Sequence, residues 1–426
     1  MSRYLGRDLT TRENNRLKVA IVSCVFPPEP VTSAVTSQHL AEYLAQQGHA
    51  VTVVAPVPTR PSGRRDPRFR RFRLVQCERT NEGFEVRRVF SFVSRRPRLL
   101  SRFAENLSFG LSSAASILRS DAQVVYANTW PVIAGALIAW VCKARNVPLI
   151  LSIQDVHPEA AINLGKLSEK GTLARILRWC DNWLVNQARE IVVPSARLRD
   201  LYRKKRRIRP SIHVVPNWVD ATEVVPGRGR TDGRHRLGAA EDDFVVTYGG
   251  NVGALADIGC VLECASLLRD HPKVTFAIAG DGSARDYWQQ KANEQRLTNV
   301  RFIYPISKAD FPSIQAASDL FVLPTRGESA LTSVPSKLVG YMMSGRAVLA
   351  CVSPESESAA IILESESGLC FAPGDSVGLA NAILMLKADG PRRQRMGEKA
   401  RQFALRFYSR DVCLPRLSEI VLAGQH

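Results

Sequence analysis

The chain has 426 residues, 45% of them hydrophobic and 7% aromatic, and a formal charge of +18. That length exceeds one ordinary core and fits about two domains, while the apolar content excludes an intrinsically disordered polymer. The longest apolar run, VIAGALIAWVC at 132–142, is roughly half of what a bilayer-spanning helix needs and reads as a buried helix.

Residues 1–16, MSRYLGRDLTTRENNR, read as a polar extension without the apolar stretch of a secretion signal. Strand and helix patterns then alternate. LKVAIVSCVF (17–26) and VTVVAPV (51–57) are strand-like, and the helical SQHLAEYLAQQG between them ends at Gly48, a C-capping glycine. AQVVYAN (122–128), a helix over 131–146, PLILSIQ (148–154), a helix over 170–189, EIVVPS (190–195) and SIHVVPN (211–217) follow. The polar stretch GRGRTDGRHRLGAAEDD (227–243) reads as a linker. Beyond it come FVVTYGG (244–250), VTFAIAG (274–280), VRFIYPI (300–306), LFVLPT (320–325), AVLACV (347–352) and GLCFAPG (368–374), alternating with helices over 257–270, 283–296, 308–317 and 335–344. Terminal helices fall at 376–388, 391–406 and 409–424. The expected fold class is α/β, with two doubly wound, Rossmann-like domains (17–217 and 218–395) facing across a cleft. Helices in 396–426 are expected to pack back on the first domain.

Charge is concentrated. Between Arg60 and Arg119 stand 15 Arg and no Lys against five carboxylates, so 15 − 5 gives +10. Segment 60–109 interleaves these arginines with Phe69, Phe72, Leu99, Leu100, Phe103 and Phe109, a composition suited to an anionic membrane surface. Nucleic acid would use the same charges, but no helix-turn-helix, RRM or KH signature accompanies them, and no nucleic-acid partner is expected. The nine cysteines are odd in number and lack a C-x-x-C pair, which fits free thiols in a reducing cytoplasm. Cys260 and Cys264, one helical turn apart, have no His or second Cys pair nearby, so no metal is assigned.

Ligands of doubly wound sheets bind at the carboxyl ends of the strands, and the candidate residues lie there. After the first strand, Pro27, Pro28 and Pro30 stiffen a loop leading to a helix start that carries Thr32 and Ser33; unpaired N–H groups at such a start suit a phosphate or sugar oxygen. Gln154-Asp155-Val156-His157-Pro158-Glu159 gathers an amide, two carboxylates and an imidazole at another strand end, a density that catalysis wants. In the second half, Gly249, Gly250, Asn251 and Gly253 let backbone approach a ligand. VPSKLVGYMMSGRAVLA (334–350) begins a helix with Pro335, Ser336 and Lys337. A lysine in the first turn opposes the helix dipole unless an anion neutralises it, which points to a bound diphosphate.

Over roughly 17–415 the chain resembles a family-4 retaining glycosyltransferase of the GT-B fold, nearest the bacterial branch that builds O-antigen, capsule or colanic-acid-like polysaccharides. The likeness rests on FPPEPVTSAVTSQHLAEYLAQQGHAVTVV, LILSIQDVHPEA, IHVVPNWVD, YGGNVGALADIGCVLECASLL with IAGDG, and LFVLPT with VPSKLVGYMMSGRAVLA, in that order. It implies a metal-independent enzyme without a cofactor that moves a sugar from a nucleotide-diphosphate donor to an acceptor. That acceptor would be an undecaprenyl-diphosphate-linked saccharide at the inner membrane face. The diphosphate would lie near Gly250, Asn251, Ser336 and Lys337, the base against Tyr304-Pro305-Ile306, and Asp155, His157 or Glu159 beside the sugar, with Thr32, Ser33 and Gln154 on the acceptor side. The family's two glutamates, eight positions apart, align with Thr332 and Gly340; the second normally holds the ribose, and Glu328 is a candidate substitute. Gly340 leaves open an alternative: a catalytically silent GT-B protein that scaffolds partners of the same pathway.

Overall fold

The computed structural model describes residues 16–29, 31–59, 65–66, 68–69, 74–94, 99–128, 131–163, 165, 167–253, 255–307, 309–326 and 336–425. The chain divides into two compact units, Met1–Asn217 with Leu414–His426, and Trp218–Cys413.

The first unit runs β1 (Lys18–Ser23), α1 (Thr32–Gln46), β2 (Ala50–Pro56), β3 (Val75–Arg79), β4 (Glu85–Val89), α2 (Leu99–Leu118), β5 (Val124–Asn128), α3 (Val132–Ala144) and β6 (Leu149–Ser152). It continues through α4 (Glu159–Asn163), α5 (Thr172–Val185), β7 (Glu190–Val193), α6 (Ala196–Lys205) and β8 (Ser211–Val214). The eight strands lie in the order β3-β4-β2-β1-β5-β6-β7-β8, with β3 antiparallel to β4 and every other pair parallel. Strands such as β5, VVYAN, are buried along their whole length, because helices cover both faces of a parallel sheet and leave no polar side. One core joins these strands to Phe109 and Ile117 of α2, Ile138 of α3, Leu184 of α5 and Tyr202 of α6.

The second unit contains α7 (Arg230–Leu237), β9 (Phe244–Gly249), α8 (Ile258–Leu267), β10 (Val274–Ala279), α9 (Arg285–Glu294), β11 (Val300–Ile303), α10 (Phe311–Ala317), β12 (Leu320–Pro324) and α11 (Ser336–Met343). After these come β13 (Ala347–Cys351), α12 (Glu357–Glu364), β14 (Gly368–Phe371), α13 (Ser376–Ala388), α14 (Gly390–Tyr408) and α15 (Arg410–Ala423), whose last residues rejoin the first unit. Its six strands, β11-β10-β9-β12-β13-β14, are all parallel.

Two expectations need correction. The stretch 227–243 is no loose linker: it holds α7, bounded by left-handed Gly229 and Gly238, and its Arg234 is buried against Asp319 at 2.8 Å. Charge and glycine content hid a helix whose arginine faces inward. The C-terminal helices also divide later than 396, because α14 packs on α11 and β13 of the second unit. A Cβ at Gly397 would stand 2.3 Å from the Gly345 carbonyl oxygen, so α14 sits as close as a glycine allows. Only from Leu414 does the chain belong to the first unit.

Candidate functional site

In the second sheet, the strands stay parallel but the strand order changes direction between β9 and β12: β9 connects outward to β10, β12 outward to β13. Such a switch point opens a crevice at the carboxyl ends of the two strands. Gly249, Gly250 and Asn251 leave β9 there, and α11 begins beside them. Gly250 has φ +130°, where side-chain residues are strained, and a Cβ on it would meet Lys337 Cε at 2.6 Å. The lysine stem thus lies directly over bare backbone. Gly280, with φ +153°, leaves room for the Gly250 carbonyl, which a Cβ would meet at 2.0 Å.

Lys337 Nζ donates to the Asn251 carbonyl at 3.1 Å and contacts the Tyr248 hydroxyl. It stands 4.5 Å from the centre of the Tyr248 ring. Tyr248 Oη donates to the same Asn251 carbonyl at 2.6 Å. Burial pushes the Lys337 ammonium down to about 8 and raises the Tyr248 phenol. Beneath them Tyr341 Oη accepts from Gly249 N at 2.8 Å and donates to Gly249 O at 2.7 Å, while its ring stacks on Phe321 at 4.1 Å. The glycine turn is therefore locked by one helix, α11, that also delivers the cation. A partly desolvated ammonium, the first-turn N–H groups of α11 and a close-packed glycine backbone meet here, the kind of groups that suit an anion.

Ser336 is exposed at the start of α11. Gly340 faces Gln315 of α10: its carbonyl accepts from Gln315 Nε2 at 3.0 Å, and a Cβ would lie 3.3 Å from that nitrogen. Gln315 fills the place into which a longer side chain would grow. Ile306, half-buried, packs on the small cluster around Leu237, Val245 and Ile314. Tyr304, beside it, is exposed under the Arg285 guanidinium, 4.0 Å from its ring centre. Glu328 and Thr332 lie outside the described residues.

In the first unit the switch point falls between β1 and β5. Asn128 at the end of β5 donates to Ser37 Oγ (2.9 Å) and to the Ser33 carbonyl (3.2 Å), and Ser37 Oγ donates to Ser23 Oγ (3.1 Å). This buried net pins α1 to two strand ends. Val31, not a hydroxyl residue, is the N-cap of α1, so Thr32 and Ser33 stand at its start without a capping role.

The loop after β6 separates its candidates. Gln154 is held by Asn217 Nδ2 (2.9 Å) and itself donates to Ser152 Oγ (3.1 Å). Asp155 and His157 line a small pocket at the strand ends, whose wall includes Asp181 and Tyr202. Desolvation there raises the Asp155 carboxyl, and the neighbouring His157 works against that rise. Glu159 is withdrawn from this pair. Arg206 donates to its Oε2 at 2.8 Å and Arg178 to its Oε1 at 3.1 Å; burial opposes its ionisation, but the hydrogen bonds from Arg206 win and hold it below the usual carboxylate range. Arg206 also bonds Asp181 (2.7 Å) and the His157 carbonyl (2.6 Å). Glu159 thus belongs to an ion cluster that shapes the loop and does not join Asp155 and His157 in lining the pocket.

Sequence reasoning missed Tyr248, Tyr341, Gln315 and Arg206. Only the first two left a trace, as aromatics beside the glycine turn and in the Lys337 helix. Among the described residues, no group of three or more His, Cys, Asp or Glu is placed to hold a metal ion.

Residues 33–223 match the family model Glycosyltransferase Family 4, and residues 244–389 match Glycosyl transferases group 1. The first unit is thus similar to family-4 glycosyltransferases and the second to glycosyl transferases of group 1, and the fold class is GT-B. It is 25% identical over 349 residues, 78% of this chain and 83% of the other, to WcaI of Escherichia coli (strain K12), assigned as a colanic acid biosynthesis glycosyl transferase. It is 24% identical over 404 residues to glycogen synthase of Mycobacterium tuberculosis, covering 91% of this chain and 90% of that one. Sucrose-phosphate synthase from Thermosynechococcus elongatus shares the fold with a TM-score of 0.72 at 16% identity, over 95% of this chain and 98% of that one. HepE of Anabaena, in complex with UDP-glucose, gives 0.70 at 17% identity, over 96% and 100%.

Proposed function

We propose that the protein is a retaining glycosyltransferase that takes a hexosyl or N-acetylhexosaminyl residue from a nucleotide-diphosphate sugar. The acceptor is a saccharide carried on undecaprenyl diphosphate, in the assembly of a bacterial surface polysaccharide. The observation that carries this reading is the half-buried Lys337 ammonium, seated over Gly250 at the start of α11 and at the switch point of the second sheet. The colanic acid relative supports the pathway, and the UDP-glucose complex of HepE supports the donor class. The bond from the sugar's anomeric carbon to the diphosphate oxygen breaks, and an acceptor hydroxyl forms the new bond on the same face. The acceptor's proton passes to the departing phosphate oxygen. Lys337 and the α11 N–H groups stabilise the charge that grows on that phosphate, and Asp155 and His157 orient hydroxyls in the first unit's pocket. No bound metal takes part in this scheme.

Among the described residues no helix is long and apolar enough to cross a membrane. The protein would work peripherally on the inner face of the plasma membrane, with the arginine- and phenylalanine-rich segment 60–109 drawn to anionic lipid. A calorimetric screen of UDP-, GDP-, ADP- and dTDP-sugars tests the reading: tight binding of one donor class is expected, and no binding of any would overturn it.

A further inference from the structure

Helix α5 is apolar on two sides. Ala174, Leu184 and Val185 face the core, yet Leu173, Ile176 and Trp179 are exposed, the tryptophan at 70%. Spaced by three, they follow one another around the outer surface of the helix. Trp140 of α3, the helix packed beside α5, is 61% exposed as well. Exposed tryptophans on neighbouring helices exceed what scattered surface apolar residues explain.

A second feature lies along the same helix. Residues 203–209 read RKKRRIR, and five of their six cations are exposed with no carboxylate among them; the sixth, Arg206, is the buried partner of Glu159 and Asp181. This run is fastened to α5 by hydrogen bonds between its backbone and two asparagine side chains. Arg207 N donates to Asn182 Oδ1 (3.0 Å), Asn186 Nδ2 to the Arg207 carbonyl (2.7 Å), and Arg209 N to Asn186 Oδ1 (3.0 Å). Asn182 and Asn186 fall three and seven residues after Trp179, on its side of the helix. An aromatic and aliphatic stripe is thereby held next to a run of five exposed cations.

We propose that this face of the first unit docks on an anionic lipid surface, with Trp179, Ile176 and Leu173 entering the headgroup and acyl boundary and the 203–209 cations bonding lipid phosphates. Tryptophan suits that boundary, and long basic side chains reach the headgroups above it. A second copy of the chain fits worse, because a two-fold contact would set one cationic run near the other. The inference rests on the reading of a membrane-held acceptor and adds the surface that meets the membrane, outside segment 60–109.

The test is co-sedimentation of the full chain with vesicles of phosphatidylcholine, alone or mixed with phosphatidylglycerol. The parent should bind the mixed vesicles in a salt-sensitive way and the neutral ones weakly. Ile176→Ser with Trp179→Ser, and separately Arg203→Gln with Lys204→Gln and Arg207→Gln, should each weaken binding to mixed vesicles about tenfold or more, with circular dichroism and nucleotide affinity unchanged. Parent-like binding by both variants, equal binding of neutral vesicles, or release from vesicles by RNA or polyglutamate at lower lipid occupancy overturns the proposal. Sugar transfer to a detergent-solubilised acceptor separates this outcome from the functional reading. Retained transfer with lost docking upholds both, whereas docking without transfer sinks the functional reading alone.

Discussion

Replacing Lys337 by Ala removes the one cation that α11 presents over the glycine turn. In the free protein its ammonium donates to the Asn251 carbonyl at 3.1 Å and is partly desolvated, so a diphosphate oxygen arriving there gains a charge-assisted hydrogen bond. Such a bond contributes about 1.5–3 kcal/mol, and its loss weakens the dissociation constant about 10- to 150-fold. Isothermal titration with the preferred nucleotide sugar measures this, and Lys337→Met, which keeps the stem over Gly250, separates charge from packing. The pH dependence carries a sign. Burial lowers the ammonium to about 8, so the charged form and its contact with the donor are fully present below that pH and fade as pH rises through it. The bound anion pulls the proton affinity back up, and the fading continues until the value in the complex is passed. Parent affinity should therefore fall above pH 8, while the Met variant stays flat. Equal affinity in parent and variant, or the same pH profile in both, refutes the diphosphate seat.

Gly250→Ala places a side chain at φ +130° and a Cβ 2.6 Å from Lys337 Cε; it should cost about 1–3 kcal/mol in unfolding titrations and weaken donor binding, and an unchanged midpoint would contradict the packing described. Arg206→Met leaves Asp181 and Glu159 without their shared cation, so a loss of about 3–5 kcal/mol is expected, against under about 1 if the cluster matters little. Asp155→Asn and His157→Ala should lower the transfer rate about a hundredfold with donor affinity held within about twofold. A matching loss of donor affinity would show that they hold the donor in the ground state rather than act in transfer. Gly340→Glu must displace the Gln315 amide, 3.3 Å from the new Cβ, and should lower stability without raising nucleotide affinity; a gain in affinity would show that Gln315 yields and that a ribose contact is restored.

Both doubly wound sheets were legible because their central strands, such as β5 VVYAN and β9 FVVTYG, are buried, largely apolar runs. The outer hairpin was not: β3, VQCER, is mostly exposed, and β4, EVRRV, mixes charge with apolar residues. Helix α7 was hidden for a similar reason, since Arg234 is a buried partner of Asp319 rather than a solvent-facing charge. Lys337 could be singled out from its conflict with the helix dipole, which is a local property. Glu159 could not be separated from Asp155 and His157, because Arg206, which claims it, lies 47 residues further along the chain. Gly340 read as a missing clamp; that Gln315 stands against it is set by the packing of α10 on α11 and leaves no mark in either segment alone.

The most direct test is sugar transfer itself, followed by nuclear magnetic resonance, with UDP-, GDP-, ADP- and dTDP-sugars and a short polyprenyl-diphosphate-linked saccharide. One donor should be consumed by the parent, with the anomeric configuration of the sugar retained in the product, and Lys337→Ala should suppress that consumption. A donor that binds yet is neither hydrolysed nor transferred would contradict the enzyme reading and leave the silent, scaffolding protein in its place.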